Sequence, residues 1–239
     1  HALPKVGTLR RDYTEMAKRI DLYTGGIGFS ANARTGFDHA GTCIPFVAFN
    51  AKCLNRNQEP MLGIVEELMF EGDFSDLNRL KNILMEYRAG LESMVIHNGH
   101  RLAISLASRN FSIARHLSEL WSGVFQLRTI KKLLETPSDG TLAELAENLS
   151  TIRQAVIVSG NLKTALIGEE SALAAATKAA VGIYERLQQP PVSLGSGDGF
   201  GPPPLDLPTD PVREGWSTSS AVSFVAQAFE TVRMEHPDA

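Results

Sequence analysis

Several features are scarce in this sequence, and each scarcity excludes a class of protein. Only two cysteines occur, Cys43 and Cys53, which excludes a disulfide-stabilised scaffold. Both lie on one predicted extended segment whose ends are about 30 Å apart, too far for a bond between them. No run approaches the roughly 18 consecutive apolar residues of a membrane-spanning helix. The formal net charge of −4 argues against a dedicated nucleic-acid-binding protein.

Motifs for metal binding are also lacking. The segment His116-Leu117-Ser118-Glu119-Leu120 is one residue short of the inverted zinc motif His-x-x-Glu-His, because Leu120 cannot bind a metal. A hydrolytic zinc site needs three protein ligands, so we predict no metal site here. His97 and His100 flank a predicted turn without a nearby Cys, Asp or Glu. We interpret both as helix-end residues that complement the helix dipole.

No nucleophile or phosphate-binding motif replaces them. His39 and His236 have no predicted nucleophile partner, and no serine lies in a nucleophile-elbow context; the candidates are Ser108, Ser112 and Ser118. The glycine-rich segment 195–201 is followed by three prolines and has no Gly-Lys-Ser/Thr ending, so a surface loop is favoured over a nucleotide site. A nucleotide-binding module is the weakest alternative. The sequence therefore predicts no catalytic, metal-binding or cofactor-binding residue.

The pattern of apolar residues predicts strands near the start of the chain. Helical spacing over Tyr13–Tyr23 is followed by glycines 25 and 26, which are expected to supply the positive φ of a turn. Alternation over 27–34 predicts a strand, and Cys43–Cys53 reads as a second one. Residues 35–41 between them resemble a hairpin loop.

The remaining chain is mostly helical by the same criteria. The predicted helices are 61–69, 77–94 with Ser75 as N-cap, 101–108, 113–135 as one helix, 141–152 with a Thr141–Glu144 capping box, and 169–186. Short strands are predicted at Ala155–Val158 and at Trp216–Thr231. The Pro/Gly-rich segment 188–215 is expected to be an irregular internal loop. This order indicates an α/β (α+β) fold, mostly antiparallel sheet with helices packed on one face.

Four segments, taken in order, resemble the pitrilysin-type, or inverzincin, zinc metallopeptidases, and specifically their presequence protease branch. The segments are Tyr13 with Thr24–Ile27, Glu67–Leu80, Asn98–Ala103 with Ser108–Ser112, and Trp121–Gly123. The similarity extends from Leu3–Thr8 to His236–Ala239. The resemblance implies the pitrilysin-like fold and places residues 1–239 as a single domain, the third of four, truncated at both ends from a larger parent.

In that family the zinc ligands and catalytic glutamate belong to the first domain, and the assisting arginine and tyrosine belong to the fourth. The resemblance therefore implies no catalytic residue and no zinc or other cofactor in this chain. It implies a non-catalytic wall of a chamber that admits short unstructured peptides. The expected partners are the other domains of the same polypeptide and such peptides, with no nucleic acid and no membrane. The expected location is the bacterial cytoplasm, with an organelle matrix as alternative.

A second reading follows from the same resemblance. The chain could be an inactive homologue that acts as a protein-interaction subunit of a catalytic chain. The length of the native reading frame discriminates between the two readings, because only a single-chain enzyme carries His-x-x-Glu-His upstream.

Overall fold

The computed structural model describes residues 2–36, 43–135, 138–158, 162–187, 213–229, 231–232 and 237. The described strands are β1 (Gly7–Thr8), β2 (Ile27–Thr35), β3 (Cys43–Ala51) and β4 (Gly72–Asp73). The described helices are α1 (Tyr13–Tyr23), α2 (Gln58–Glu71), α3 (Leu77–His97), α4 (Gly99–Ser108), α5 (Ile113–Ser122), α6 (Val124–Glu135), α7 (Asp139–Val156) and α8 (Glu170–Leu187). Single 3-10 turns lie at Leu3–Lys5 and Asn55–Asn57.

The strands form two antiparallel pairs, β1 with β4 and β2 with β3. Helices account for most of the described chain, which confirms the α+β fold class. None of these helices is both long and apolar enough to cross a membrane.

The chain divides into two compact units. The first unit comprises 1–30, 47–83 and 137–200, and the second comprises 31–46, 84–136 and 201–239. Strands β2 and β3 and helix α3 each contribute residues to both units. The single-domain assignment from the resemblance stays a prediction.

The core of the first unit consists of two hydrophobic clusters. In one, Met16 of α1 packs with Ile64 and Leu68 of α2, and all three side chains are inaccessible to solvent. The other cluster joins the first residues of the chain to α3 and α7; its buried members are Leu3, Val6, Phe74, Leu80, Ile83 and Ala146. Burying one large aliphatic side chain is worth about 1.5–3 kcal/mol, so one cluster fixes α1 against α2 and the other fixes the start of the chain against α3 and α7.

The junction between α1 and β2 depends on a threonine and a single glycine. The Thr24 backbone N–H donates to the Ile20 carbonyl, 3.0 Å between N and O, and its hydroxyl donates to the same oxygen at 2.8 Å. Among the described residues only Gly26 has a positive φ, of 119°. The prediction that Gly25 shares this conformation is wrong, because Thr24 already ends the helix and one reversal is enough to start β2.

The second unit is built around α5. Cys43 of β3 packs with Ala114 and Leu117 of α5 in a buried cluster. The prediction of a single helix over 113–135 is wrong, since the helix is interrupted at Gly123, between α5 and α6. The Val124 N–H, which opens α6, instead donates to the Glu119 carboxylate.

Two predicted N-caps are one turn or less out of place. At α3 the capping oxygen belongs to Asp76, whose carboxylate accepts the Arg79 N–H at 2.8 Å, while Ser75 bonds to Asp73. At α7 the Ser138 hydroxyl accepts the Thr141 N–H at 3.1 Å, so Thr141 lies inside the helix and does not open it.

Two predicted strands are absent from the described residues. Ala155 and Val156 complete α7, and residues 157–158 are irregular. Residues 213–229 form neither helix nor strand, because an alternating sequence needs a paired neighbour to become a strand. Most of the predicted hairpin loop, from residue 37 onward, and residues 188–212 of the predicted irregular loop lie outside the described part of the chain.

Candidate functional site

Glu119 is the most deeply buried charged residue among those described, with 1% of its surface exposed. Its carboxylate accepts the Ser105 hydroxyl and the backbone N–H of Val124, the latter at 2.6 Å. Phe125 N–H lies 3.4 Å from the same oxygen. An anion at the first turn of α6 complements the positive end of that helix. The glutamate of the near-motif is therefore a helix cap.

The three described histidines lie on three different helices, α3, α4 and α5. His97 is in the last turn of α3, where Nδ1 lies 2.9 Å from the Ser93 carbonyl oxygen, in agreement with the predicted helix-end role. His100 is the second residue of α4. A cation there would oppose the helix dipole, so the predicted dipole role of His100 is wrong. The Nδ1 atom of His116 is buried without a hydrogen-bond partner in the described structure.

Across the described ranges, no three His, Cys, Asp or Glu residues lie close enough together to hold a metal ion. The described residues therefore do not provide a set of ligands for a zinc ion. His39, His236 and the glycine segment 195–201 lie outside the described part.

Two of the serines that lack a nucleophile-elbow context form structural hydrogen bonds. The Ser108 hydroxyl donates back to the Ile104 carbonyl at 2.8 Å. The Ser112 hydroxyl caps α5 by accepting the Arg115 N–H at 3.2 Å. Cys43 and Cys53 are both free thiols, and burial raises the pKa of each. Since the thiolate is the reactive form, a raised pKa lowers the reactivity of both cysteines at neutral pH.

An open cleft of about 360 Å³ lies beside the segment from Gly7 to Tyr13 in the first unit. Its acidic residues are Asp12, Asp73 and Asp76. Each of these carboxylates accepts a nearby backbone N–H, from Thr14 and Glu15, Ser75 and Arg79 respectively. The three aspartates of the cleft are thus turn and helix caps.

One acidic face of α2 holds that segment in place. Glu67 accepts the Thr8 hydroxyl at 2.6 Å and forms an ion pair with Arg11. The ion pair is the main cause of the raised pKa of Arg11. Arg10 pairs with Glu71 on the next turn of α2. These contacts attach the chain before α1 to α2, and their role is structural.

A second charged cluster, in the second unit, has no motif in the sequence. The buried Arg109 guanidinium donates to the Leu106 carbonyl at 2.7 Å and to both oxygens of Glu214. It also lies over the Phe125 ring, 5.4 Å from the centroid. Sequence reasoning missed this cluster because Arg109 and Glu214 are 105 residues apart. Only the alternation over Trp216–Thr231 hinted that this segment packs against something.

Comparisons with known proteins identify the relationship. The sequence model of the family described as "Peptidase M16C associated" matches residues 1–133. The chain is 28% identical over 176 residues to a protein of Xenopus tropicalis named "Presequence protease, mitochondrial", covering 74% of this chain and 17% of the relative. Over 214 residues it is 24% identical to the Gibberella zeae protein of the same name, covering 87% and 21%.

A bacterial relative is named "Protein HypA", from Clostridium perfringens. It is 25% identical over 168 residues, covering 70% of this chain and 17% of the relative. The chain thus spans about a sixth to a fifth of the length of the curated relatives it matches. These matches confirm the resemblance to the presequence protease branch, and the chain belongs to the Peptidase M16C associated family.

Proposed function

We propose that this chain is a non-catalytic, chamber-forming domain of a zinc metalloendopeptidase of the presequence protease type. One observation carries the proposal: a peptidase-associated family matches residues 1–133 of a sequence without His-x-x-Glu-His. The relatives named presequence protease are about five to six times as long as the segments that they share with this chain, which leaves room for a catalytic domain elsewhere. Zinc, in this proposal, is bound by that other domain.

The described residues support a structural role. The charged groups that resemble catalytic residues are engaged with the backbone or with each other: Glu119 caps α6, and Glu67 pairs with Arg11. Such groups are not available to bind a substrate or to transfer a proton. The contribution of this chain to catalysis is then enclosure, which excludes folded proteins by size and admits extended peptides.

Both units also expose large apolar side chains. In the first unit Leu9, Leu22 and Ile167 are largely exposed, and in the second unit Ile44, Ile104 and Val225 are. Burying exposed apolar surface against another protein domain is favourable. Their presence supports further domains as the partners of this chain.

The proposal is tested by peptide hydrolysis with the chain alone and with the protein of the native reading frame. A quenched fluorescent peptide without structure should be cleaved by the longer protein and not by this chain, with or without added zinc. Turnover by the chain itself, abolished by a chelator and restored by zinc, would contradict the proposal.

Size exclusion by the chamber needs a separate control. The same cleavage sequence is placed in a small disulfide-stabilised domain and offered to the longer protein before and after reduction. Cleavage is expected only after reduction unfolds the domain. Equal cleavage of both forms would contradict a closed chamber.

The alternative proposal is an inactive homologue that pairs with a separate catalytic chain. The names and lengths of the relatives favour the first proposal, because each matched presequence protease is several times longer than the segment that it shares with this chain. A native reading frame without His-x-x-Glu-His would favour the alternative. The bacterial cytoplasm, with an organelle matrix as alternative, stays the predicted location, since the relatives come from mitochondria and from bacteria.

A further inference from the structure

Residues 213–229, which we call the strap, run along the helices of the second unit without forming helix or strand. Side chains near its two ends contact α4, α6 and the turn after α4. The contacts fall into three groups, at Glu214, Trp216 and Phe224. Together these contacts define a binding face.

The first contact is an ion pair with a buried partner. Both terminal nitrogens of Arg109 donate to the two oxygens of Glu214, one of them at 3.2 Å, in the parallel arrangement that guanidinium and carboxylate favour. Only 10% of the Arg109 side chain is exposed. A buried cation needs a paired anion, so the strap supplies a group that this face requires.

The second contact is aromatic. Trp216 meets the Phe125 ring edge to face, with centroids 5.9 Å apart and an interplanar angle of 74°. The Arg128 guanidinium lies over the same indole at 5.4 Å. Phe125 in turn lies under Arg109, so the glutamate and tryptophan sites form one continuous surface of α6 and the turn before α5.

The third contact requires a glycine. Gly99 opens α4, and a Cβ atom at this position would lie 2.3 Å from the Phe224 ring. Any larger residue would displace that ring from the helix. His100 adds a tilted ring contact with Phe224, with centroids 6.3 Å apart.

The strap between these contacts is weakly held. Within the described residues, the hydrogen bonds of the strap involve the Glu214 side chain and a local Val222 N–H to Ser220 hydroxyl bond. Val225 and Phe229 are 94% and 75% exposed. The strap is therefore attached by separate side chains, as a bound peptide is, and it follows a sequence rich in proline and glycine.

We propose that Gly99, Arg109, Phe125 and Arg128 form a docking site for an extended segment with an acidic residue and a tryptophan two positions later. Residues 213–229 occupy this site as a tethered ligand. The tether raises the local concentration of the strap and is not needed for the contacts themselves. Because the contacts at Glu214, Trp216 and Phe224 hold the strap, it stays bound when the chain before it is cut, and a free peptide of the same sequence competes for the site.

The test cuts the tether in the full chain. A protease recognition sequence replaces residues 195–201, and the cleaved protein is passed over a size-exclusion column at micromolar concentration. We expect the carboxyl-terminal piece to co-elute with the helical piece. A synthetic peptide of residues 213–229 should displace it, whereas a scrambled peptide should not. Immediate separation of the two pieces, or equal displacement by both peptides, would overturn the proposal.

Variants identify the contacts responsible. Glu214→Gln and Gly99→Ala should each weaken retention of the cut piece at least tenfold, while Glu144→Gln, at an exposed position of α7, should not change it. Phe224→Ala should cost less in a Gly99→Ala chain than alone, since the two residues share one contact. Circular dichroism of the uncut variants reports whether they fold. Retention unchanged by both Glu214→Gln and Gly99→Ala in folded protein would place the attachment elsewhere and overturn the proposal.

Discussion

Glu119 and Arg153 are charged side chains that bond to the ends of helices. Glu119 accepts the first N–H of α6, and Arg153 of α7 donates to the carbonyls of Met69 and Phe70 near the end of α2. An anion at a helix start and a cation at a helix end both complement the helix dipole. In each case a residue type that is common in active sites satisfies backbone groups that would otherwise be buried without partners.

Glu119→Ala should destabilise the chain. The substitution leaves the Val124 N–H and the Ser105 hydroxyl without their acceptor, and a hydrogen bond to a charged group is worth about 1.5–3 kcal/mol. We expect a loss of roughly 3 kcal/mol in the free energy of unfolding, measured by urea titration with circular dichroism. Glu144→Ala, an exposed change of the same kind on α7, should stay within about 0.5 kcal/mol of the parent. Equal urea midpoints for Glu119→Ala and Glu144→Ala would contradict the capping role of Glu119.

The two thiols should titrate above their ordinary range in the folded chain. Burial raises the pKa of Cys43 and of Cys53, because the thiolate is less well solvated inside the protein. In the Cys43→Ser chain, the rate of Cys53 alkylation by iodoacetamide should therefore reach half its maximum at a higher pH in the native protein than in urea. Cys53→Ser reports on Cys43 in the same way. A midpoint that is the same in folded and unfolded chains would contradict this prediction.

Regular stripes of apolar residues predicted the helices well, and their boundaries less well. The steps of three and four from Leu77 to Met94 gave α3, and the strand after Gly26 was also placed correctly. The break at Gly123 was missed because Ile113 to Leu127 keeps helical spacing across it. Helix α5 ends where Gly123 takes an extended conformation, and the Glu119 carboxylate fills the space that a Cβ of residue 123 would need. That is a contact within the folded structure, which spacing alone does not encode.

The link between α7 and α2 should depend on the Arg153 guanidinium. Arg153→Met keeps much of the buried stem and removes the donors to Met69 and Phe70, leaving two carbonyls unsatisfied. We expect a loss of about 1–3 kcal/mol in the free energy of unfolding. Arg115→Met, at an exposed position of α5, serves as the control. Faster amide hydrogen exchange in the last turn of α2 should accompany the loss, and unchanged exchange there would contradict it.

The pairing of α3 with α6 should be pH-dependent through Glu92. A hydrogen bond from Lys131 is the main reason why the pKa of Glu92 is lowered, and Arg88 adds to it. A carboxyl whose folded pKa is lowered stabilises the fold above its unfolded pKa, and this contribution is lost as the pH falls through the folded value. The side chain is 37% exposed, so screening limits the effect to about 1 kcal/mol or less.

Glu92→Gln should therefore be slightly less stable than the parent at pH 7, and the two urea midpoints should converge as the pH is lowered below the folded pKa of Glu92. Glu144→Gln, at an exposed position of α7, provides the control, and its urea midpoint at pH 7 should stay close to that of the parent. A difference in urea midpoint between Glu92→Gln and the parent that persists in acid would contradict an electrostatic origin of the stabilisation by Glu92.

At the scale of the whole molecule, the sequence predicted which side chains are buried better than it predicted which segments pair as strands. The alternation over residues 222–228 correctly separates the partly buried Phe224, Ala226 and Ala228 from the exposed Val225, but Val222, which it places on the face of Phe224, is exposed. No strand forms there in the described structure, because alternation selects a face and does not supply a hydrogen-bonded neighbour. The docking site of the strap was invisible for a similar reason, since Arg109 and Glu214 meet only in the folded chain.

Exposed apolar residues give a test of the proposed larger assembly. Ile167 in the first unit is 102% exposed, and covering a large aliphatic side chain is worth about 1.5–3 kcal/mol, which favours contact with further protein. In chains with both native cysteines changed to serine, Ile167→Cys should react with a thiol reagent at least tenfold more slowly in the protein of the native reading frame than in this chain. Ser219→Cys, at an exposed polar position, should react at the same rate in both. Equal rates at residue 167 would mean that the surface around Ile167 is not covered, and that the partner domains must contact this chain elsewhere.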